Sequence, residues 1–254
     1  MKAIETIQLT KTYQNGKTAL DGLDLSVECG EIFSLLGKNG VGKSTLINIL
    51  TTFLKPTSGE ALIMGHNVTK SPGFVRARVS CVSQAISVDD HFTIHENMLF
   101  QGRLYGLSPQ QLNNREEKLL HLFQLEEYIS RKAGSCSGGI KRRLDVSMSM
   151  LSEPRILFLD EPTVGMDIQS RHIMWDTLEQ LKKEFGTTIF LTTHYLEEAD
   201  YLSDTICFIA DGKRILQDSP SALRRYTPGI AEPTLEDIFI QITENQGGFN
   251  HGTV

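Results

Sequence analysis

The sequence predicts an α/β fold: a mixed, mainly parallel sheet with an antiparallel β part at its N-terminal end and an α-helical subdomain inserted into it. Three observations carry this. Ile32-Phe33-Ser34-Leu35-Leu36 reads as a short buried strand, and beyond a glycine-rich stretch Leu46, Ile49, Leu50 and Phe53 recur at i, i+3, i+4, i+7, the spacing of one helix face. Arg155-Ile156-Leu157-Phe158-Leu159-Asp160 and Thr187-Thr188-Ile189-Phe190-Leu191-Thr192 are strand-like and flank a helix with Met174, Leu178, Leu181 and Phe185 on one side, an order that implies parallel pairing. From about Thr93 to Ser152 helical periodicity replaces strand alternation.

In chain order, Ala3-Ile4-Glu5-Thr6-Ile7 and Leu23-Asp24-Leu25-Ser26-Val27 alternate as strands, with a turn at Gln14-Asn15-Gly16-Lys17. After the first helix, Pro56-Thr57-Ser58-Gly59 breaks the chain and Ala61-Leu62-Ile63-Met64-Gly65 reads as another strand. Ser108-Pro109 is an N-cap followed by proline at the first helical position, and Leu112, Glu116, Leu119, Leu120 and Phe123 share the face of the helix it opens. Thr234-Leu235-Glu236-Asp237 resembles a capping box ahead of Leu235, Ile238, Phe239 and Ile242. The expected organisation is one domain over 1–244, its helical subdomain at about 86–152, and a flexible tail at 245–254.

Composition narrows the classes. Hydrophobic residues at 40% and charged residues at 22% describe an ordinary globular chain. No apolar run approaches the ~18 residues that cross a bilayer, and Met1 to Thr6 lack the apolar segment of a secretory signal, so a cytosolic chain is expected. The net charge of −6 disfavours a nucleic-acid backbone as partner unless basic groups cluster. The best cluster, Lys141-Arg142-Arg143, reads as a solvated helix face, with nucleic acid or an acidic membrane surface as the alternatives. Cys29, Cys81, Cys136 and Cys207 are scattered and form no metal-ligating pattern.

The span Gly37-Lys38-Asn39-Gly40-Val41-Gly42-Lys43-Ser44-Thr45 fits G-x-x-x-x-G-K-[ST] between a strand and a helix, the context of a phosphate cradle. Its glycines let successive N–H groups point inward at phosphate oxygens, and the helix presents its positive end to the same anion. Lys43 would reach the β- and γ-phosphates and the Ser44 hydroxyl would ligate Mg²⁺. The loop alone leaves GTPases, kinases, recombinases and transport ATPases open. Asp160, ending a buried strand, can hold Mg²⁺ through water opposite Ser44, and Glu161 stands where a general base would take a proton from the attacking water. A turn-capping Asp-Glu-Pro is the alternative for that pair.

Cys136-Ser137-Gly138-Gly139-Ile140 precedes that strand, Val164-Gly165-Met166-Asp167 and Thr192-Thr193-His194 follow it, and Val82-Ser83-Gln84 lies upstream. With these motifs in this order the chain resembles the nucleotide-binding subunit of ATP-binding cassette (ABC) transporters over roughly residues 1 to 220. The resemblance implies a P-loop NTPase core, ATP and Mg²⁺ as cofactors, and ATP hydrolysis. It places Tyr13 against adenine, the alternative being an aromatic packed in the core. It puts Gln84 on Mg²⁺ and the water, His194 at the γ-phosphate, and Asp167 with residues 37 to 45 in the nucleotide-contacting set. Ser137, Gly138 and Gly139 would open a helix with Ile140, Leu144, Met148 and Leu151 on its apolar face, and face ATP held by a second domain. One set of motifs then requires another copy of the chain or a related ATP-binding subunit.

The signature departs from the commonest L-S-G-G-Q at Cys136 and Ile140. With Lys141-Arg142-Arg143-Leu144, Pro162 to Asp167 and Pro233 to Phe239, it resembles the exporter subclass that includes antibiotic-resistance, nodulation-factor and lipid pumps. The implied partner is a transmembrane permease, with membrane contact only through it on the inner face and no nucleic acid. A non-transport ABC ATPase acting on ribosomes or DNA ranks second, since the second cassette, coiled coil or zinc module usual in such proteins is not seen.

Overall fold

The computed structural model describes residues 1–226 and 233–247. Its elements run β1 (Lys2–Thr12), β2 (Thr18–Glu28), β3 (Ile32–Leu36), α1 (Lys43–Leu50), β4 (Ser58–Ile63), β5 (His66–Asn67), α2 (Pro72–Arg76), β6 (Val79–Val82), α3 (Ile94–Leu104), α4 (Pro109–Leu122), α5 (Gly138–Met150), β7 (Ile156–Asp160), α6 (Ile168–Phe185), β8 (Thr188–Thr193), α7 (Leu196–Leu202), β9 (Thr205–Ala210), β10 (Lys213–Asp218), α8 (Pro220–Leu223) and α9 (Leu235–Gly247). A six-stranded sheet in the order β10-β9-β3-β8-β7-β6 is parallel except for the β9–β10 pair. The antiparallel N-terminal part forms a separate sheet, β2-β1-β4-β5.

The inner strands β3, β7 and β8 are buried along almost their whole length because both faces of the sheet are covered there. Phe33, Leu35, Ile156, Phe158 and Phe190 pack with α1 and the antiparallel sheet, while Ile32, Leu157, Leu159, Ile189 and Leu191 pack with α3 to α6, the period-two split of a sheet buried on two sides. Phe190 links its own layer, its ring stacked on Phe33 at 5.1 Å and tilted against Phe158 at 5.5 Å. In α1, Leu46, Ile47, Ile49 and Leu50 are all buried between the two sheets, which fixes the helix that carries Lys43.

The helical lobe is α3 to α5. Capping boxes open α3 at Thr93 and α4 at Ser108, and Glu116 sits on the buried face of α4 because His95 Nδ1 meets its Oε1 at 2.8 Å. Thr234 and Asp237 make the reciprocal bonds expected at the start of α9, where Leu235 and Ile238 are buried. That helix runs to Gly247, into the segment expected to fray; residues 248–254 and the side chain of Ile242 lie outside those described.

Two expectations fail. Phe53 does not share the α1 face: the helix ends at Leu50, Thr52 takes φ 69°, and Phe53 turns out to 90% exposure. The basic run is not a solvated face, because Arg142 and Arg143 are 4% and 6% exposed and reach carbonyl oxygens inside the protein. Only Lys141 of the three stays near the surface, paired with Asp90. Among the described residues no helix is long and apolar enough to cross a membrane.

Candidate functional site

The loop between β3 and α1 curls as its glycines demand. Gly42 has φ 110° and an added Cβ would meet the Ala19 carbonyl at 2.3 Å, so no other residue fits where the loop enters the helix. Lys43 is buried and donates to the carbonyls of Gly37 at 2.7 Å and Lys38 at 3.2 Å. Burial lowers its pKa from the ordinary lysine value, and the nearby Glu161 and Asp160 pull it back up.

Opposite the loop, β7 ends on Asp160, and Asp160 and the following Glu161 meet different partners. Asp160 accepts from Ser44 Oγ at 2.8 Å and from Thr192 Oγ1 at 2.5 Å. Glu161 takes φ 48°, a conformation rare for a side-chain-bearing residue, and its amide is held by the Thr192 carbonyl at 3.1 Å. Its carboxylate lies among three groups: Lys43 Nζ at 3.8 Å, His194 Nδ1 at 3.4 Å and Gln84 Nε2 at 3.4 Å. Tyr13, Lys17, Ala19, Asn39, Gly40, Gly42, Lys43, Ser44, Thr45, Gln84 and Glu161 line one cleft of about 400 Å³. The Tyr13 hydroxyl is 3.1 Å from Thr45 Oγ1, so the ring sits at the cleft and not in the core.

Other expected residues lie elsewhere. Ser137 caps α5 through the Ile140 amide, and Ser137 and Gly138 are exposed with open space around Gly138. Gly139 is pressed against Ser170, which also bonds both oxygens of Asp167, the N-cap of α6. The signature and Asp167 thus form a second cluster, outside the set that lines the cleft. Thr192 was not singled out in the sequence, although it stands two residues before His194. Arg142 gave no signal beyond its charge, yet it bonds the carbonyls on both sides of Glu161.

Among the described residues no three His, Cys, Asp or Glu side chains converge as a metal cage. A hard cation that keeps its waters and borrows phosphate oxygens needs only one or two protein oxygens, and the Ser44–Asp160 pair supplies them. A tight glycine loop with a buried lysine, an oxygen pair for one such cation and a carboxylate beside that pair suit transfer of a phosphoryl group to water. They place the chain among the P-loop nucleoside triphosphatases. Sequence comparison is narrower: residues 20–164 match the ABC transporter family, and the chain belongs to it as an ABC ATPase.

The chain is 44% identical over 223 residues to the daunorubicin/doxorubicin resistance ATP-binding protein DrrA of Streptomyces peucetius, covering 88% of this chain and 67% of that protein. It is 39% identical over 221 residues to Nod factor export ATP-binding protein I of Paraburkholderia xenovorans, covering 87% of this chain and 72% of that one. The chain therefore spans roughly two thirds of the length of these relatives. A dimeric ATP-binding cassette, solved in a post-hydrolysis state with ADP and Pi, superposes with a TM-score of 0.74 at 26% identity, covering 85% of this chain and 98% of that one.

Proposed function

We propose that this chain is the ATP-hydrolysing subunit of an exporter, working as a nucleotide-sandwich dimer on the inner face of a membrane beside a separate permease. The observation that carries the reading is Glu161, held within 3.8 Å of Lys43, Gln84 and His194 while Asp160 is engaged by Ser44 and Thr192. Division of labour follows: Asp160 and Ser44 hold the cation, with Gln84 reaching it, and Glu161 is left free to take a proton from water. Mg²⁺ bound there supplies neutralisation of phosphate charge. Lys43 and the amides of residues 40 to 45 bind the phosphates, Tyr13 takes the base, and His194 and Gln84 orient the groups around Glu161.

Relatives named for drug resistance and Nod factor export support the exporter reading. A post-hydrolysis dimer among the structural neighbours supports a two-copy arrangement, in which Ser137 to Gly139 complete the partner copy's site. A groove of about 610 Å³, larger than the cleft, lies between core and helical lobe. Phe53, Cys81 and Val82 line it from the core and Gln101, Tyr105 and Met148 from the lobe. Its exposed aromatics and two-lobed walls suit a permease helix, so that movement of the lobe reaches the membrane subunit.

The test is Glu161→Gln. ATP binding is expected to persist while turnover falls at least ~10²-fold, the size of a lost general base. The ATP-bound dimer then accumulates in size-exclusion runs with ATP and Mg²⁺. Near-parental hydrolysis by this variant would remove Glu161 from its role.

A further inference from the structure

Arg142 and Arg143 are adjacent, both buried, and both donate to backbone carbonyls, yet they hold different things. Arg143 Nη1 donates to Phe123 at 2.7 Å and Gln124 at 3.1 Å, stapling α5 to the end of α4 inside the helical lobe. Arg142 reaches out of the lobe. Its Nε donates to the Pro162 carbonyl at 2.9 Å, its Nη2 to Asp160 at 3.1 Å, and its Nη1 to Ser83 at 2.6 Å and to the Asp145 carboxylate at 3.3 Å. Asp160 and Pro162 flank Glu161, and Ser83 precedes Gln84.

Four of the guanidinium's five N–H donors are thereby used in one rigid plane, three of them on the backbone beside Glu161 and Gln84 and one on Asp145. Asp145 closes the clasp: it accepts from the same Arg142 Nη1 that holds the Ser83 carbonyl, so the pair fixes the start of the Gln84 loop against α5. The carbonyls and Asp145 together offset the cost of a charge at 4% exposure. Arg142 also lies on α5, whose N-terminal end exposes Ser137 and Gly138.

We propose that Arg142 is a positioning residue for ATP hydrolysis, holding Glu161 and Gln84 in fixed relation to α5. The chain's own catalytic carboxylate thus registers what happens at the end of α5 that faces the partner's nucleotide. This rests on the function proposed above. The residue touches neither nucleotide nor water; it acts by placing the two segments that do, and a misplacement of about 1 Å at such groups can cost ~10²-fold in rate.

The experiment uses the full chain with Arg142→Met, which removes every donor at similar volume, Arg142→Lys, which keeps the charge without the fork, and Arg143→Met as the structural comparison. ATPase kcat and KM, Kd for ATP and thermal midpoint are measured for each, and each Arg142 change is repeated on Glu161→Gln. Expected are a fall in kcat of at least ~10-fold for Arg142→Met and a smaller fall for Arg142→Lys, with Kd for ATP within about twofold. Arg143→Met should lower the midpoint but keep kcat per folded molecule within about twofold. On Glu161→Gln the Arg142 changes should add less than about twofold, because the group they place is already gone. If Arg142→Met does not fold, Arg142→Lys carries the same comparison. Parental kcat in the folded Arg142 variants, or losses that multiply with Glu161→Gln, would overturn the positioning role. A parent chain without ATPase, by contrast, would overturn the functional reading itself and this inference with it.

Discussion

Two helices of this molecule, α1 and α5, begin on glycine-rich turns, and they are built differently behind those ends. The body of α1 is apolar on the faces it buries, Leu46, Ile47, Ile49 and Leu50 wedged between two sheets, and its end opens into the chain's own cleft. The body of α5 buries Arg142, Arg143, Asp145, Ser147 and Ser149, and its end looks outward past Gly138 into open space. An all-apolar body makes α1 a fixed receptor, since nothing in its packing singles out a neighbouring loop. Directional bonds from α5 to the backbone beside Gln84 and Glu161 make that helix a connector. A glycine-rich first turn therefore does not define a helix's job; what its other faces hold does.

The largest effects should come from breaking either end. Lys43→Ala and Gly138→Asp should each lower turnover by ~10²–10³-fold, the scale of losing one preorganised group that stabilises transition-state charge. Binding separates them: the isolated Gly138→Asp chain keeps its affinity for ATP and the Lys43→Ala chain loses it. Mixing the two sharpens the comparison, because a mixed dimer has one composite site with both lesions and one with neither. ATPase that rises across mixing ratios supports the split site, and loss of ATP binding by Gly138→Asp alone would end it. Space around Gly138 makes misfolding a poor explanation of either result.

A smaller effect belongs to the cleft alone. Tyr13→Ala should weaken ATP binding about ten- to a hundredfold while inorganic triphosphate binds as before, since stacking on a base is worth ~1–3 kcal/mol. Equal affinity for ATP in the variant and the parent would leave Tyr13 as a partner of Thr45 and nothing more.

The smallest effect tests the polar body of α5. Burial pushes the Asp145 carboxyl up from 3.8 to about 6, against the pull of Arg142. Between those values the folded chain keeps a proton that the unfolded chain has lost, so this group's contribution to stability falls as pH rises from about 4 to 6. Asp145→Asn should lack that slope, a difference of ~1–3 kcal/mol across the window in urea titrations of the two proteins. Parallel curves would show that Asp145 ionises as an ordinary surface acid.

Much of this was legible in the sequence. The cradle and the acid-ended strand are local patterns: each needs only its own few residues and the period of the element beside it, so most residues that line the cleft are readable from sequence, Lys17 and Ala19 excepted. What escaped was set by distant backbone. A run of basic residues reads as solvated because burying a guanidinium is costly, and only carbonyls from Ser83, Asp160 and Pro162, brought together by the sheet, reverse that. Phe53 keeps the helical period of α1 in sequence after the helix has ended, since periodicity carries no mark of the left-handed turn at Thr52.

The order of strands has a last consequence, for the life of the chain before it meets a partner. β6 is an edge strand of the six-stranded sheet, and it borders the groove where Phe53 stands 90% exposed. An unpaired strand edge beside an exposed aromatic is a template for aggregation. Here the edge is only four residues long, and it is preceded by Arg76 and by Arg78, whose guanidinium lies over the Phe74 ring at 3.6 Å. Newly made copies can therefore touch at the groove without zipping into a continuous sheet, and overproduction without a partner should yield reversible clusters that disperse on dilution and not fibres.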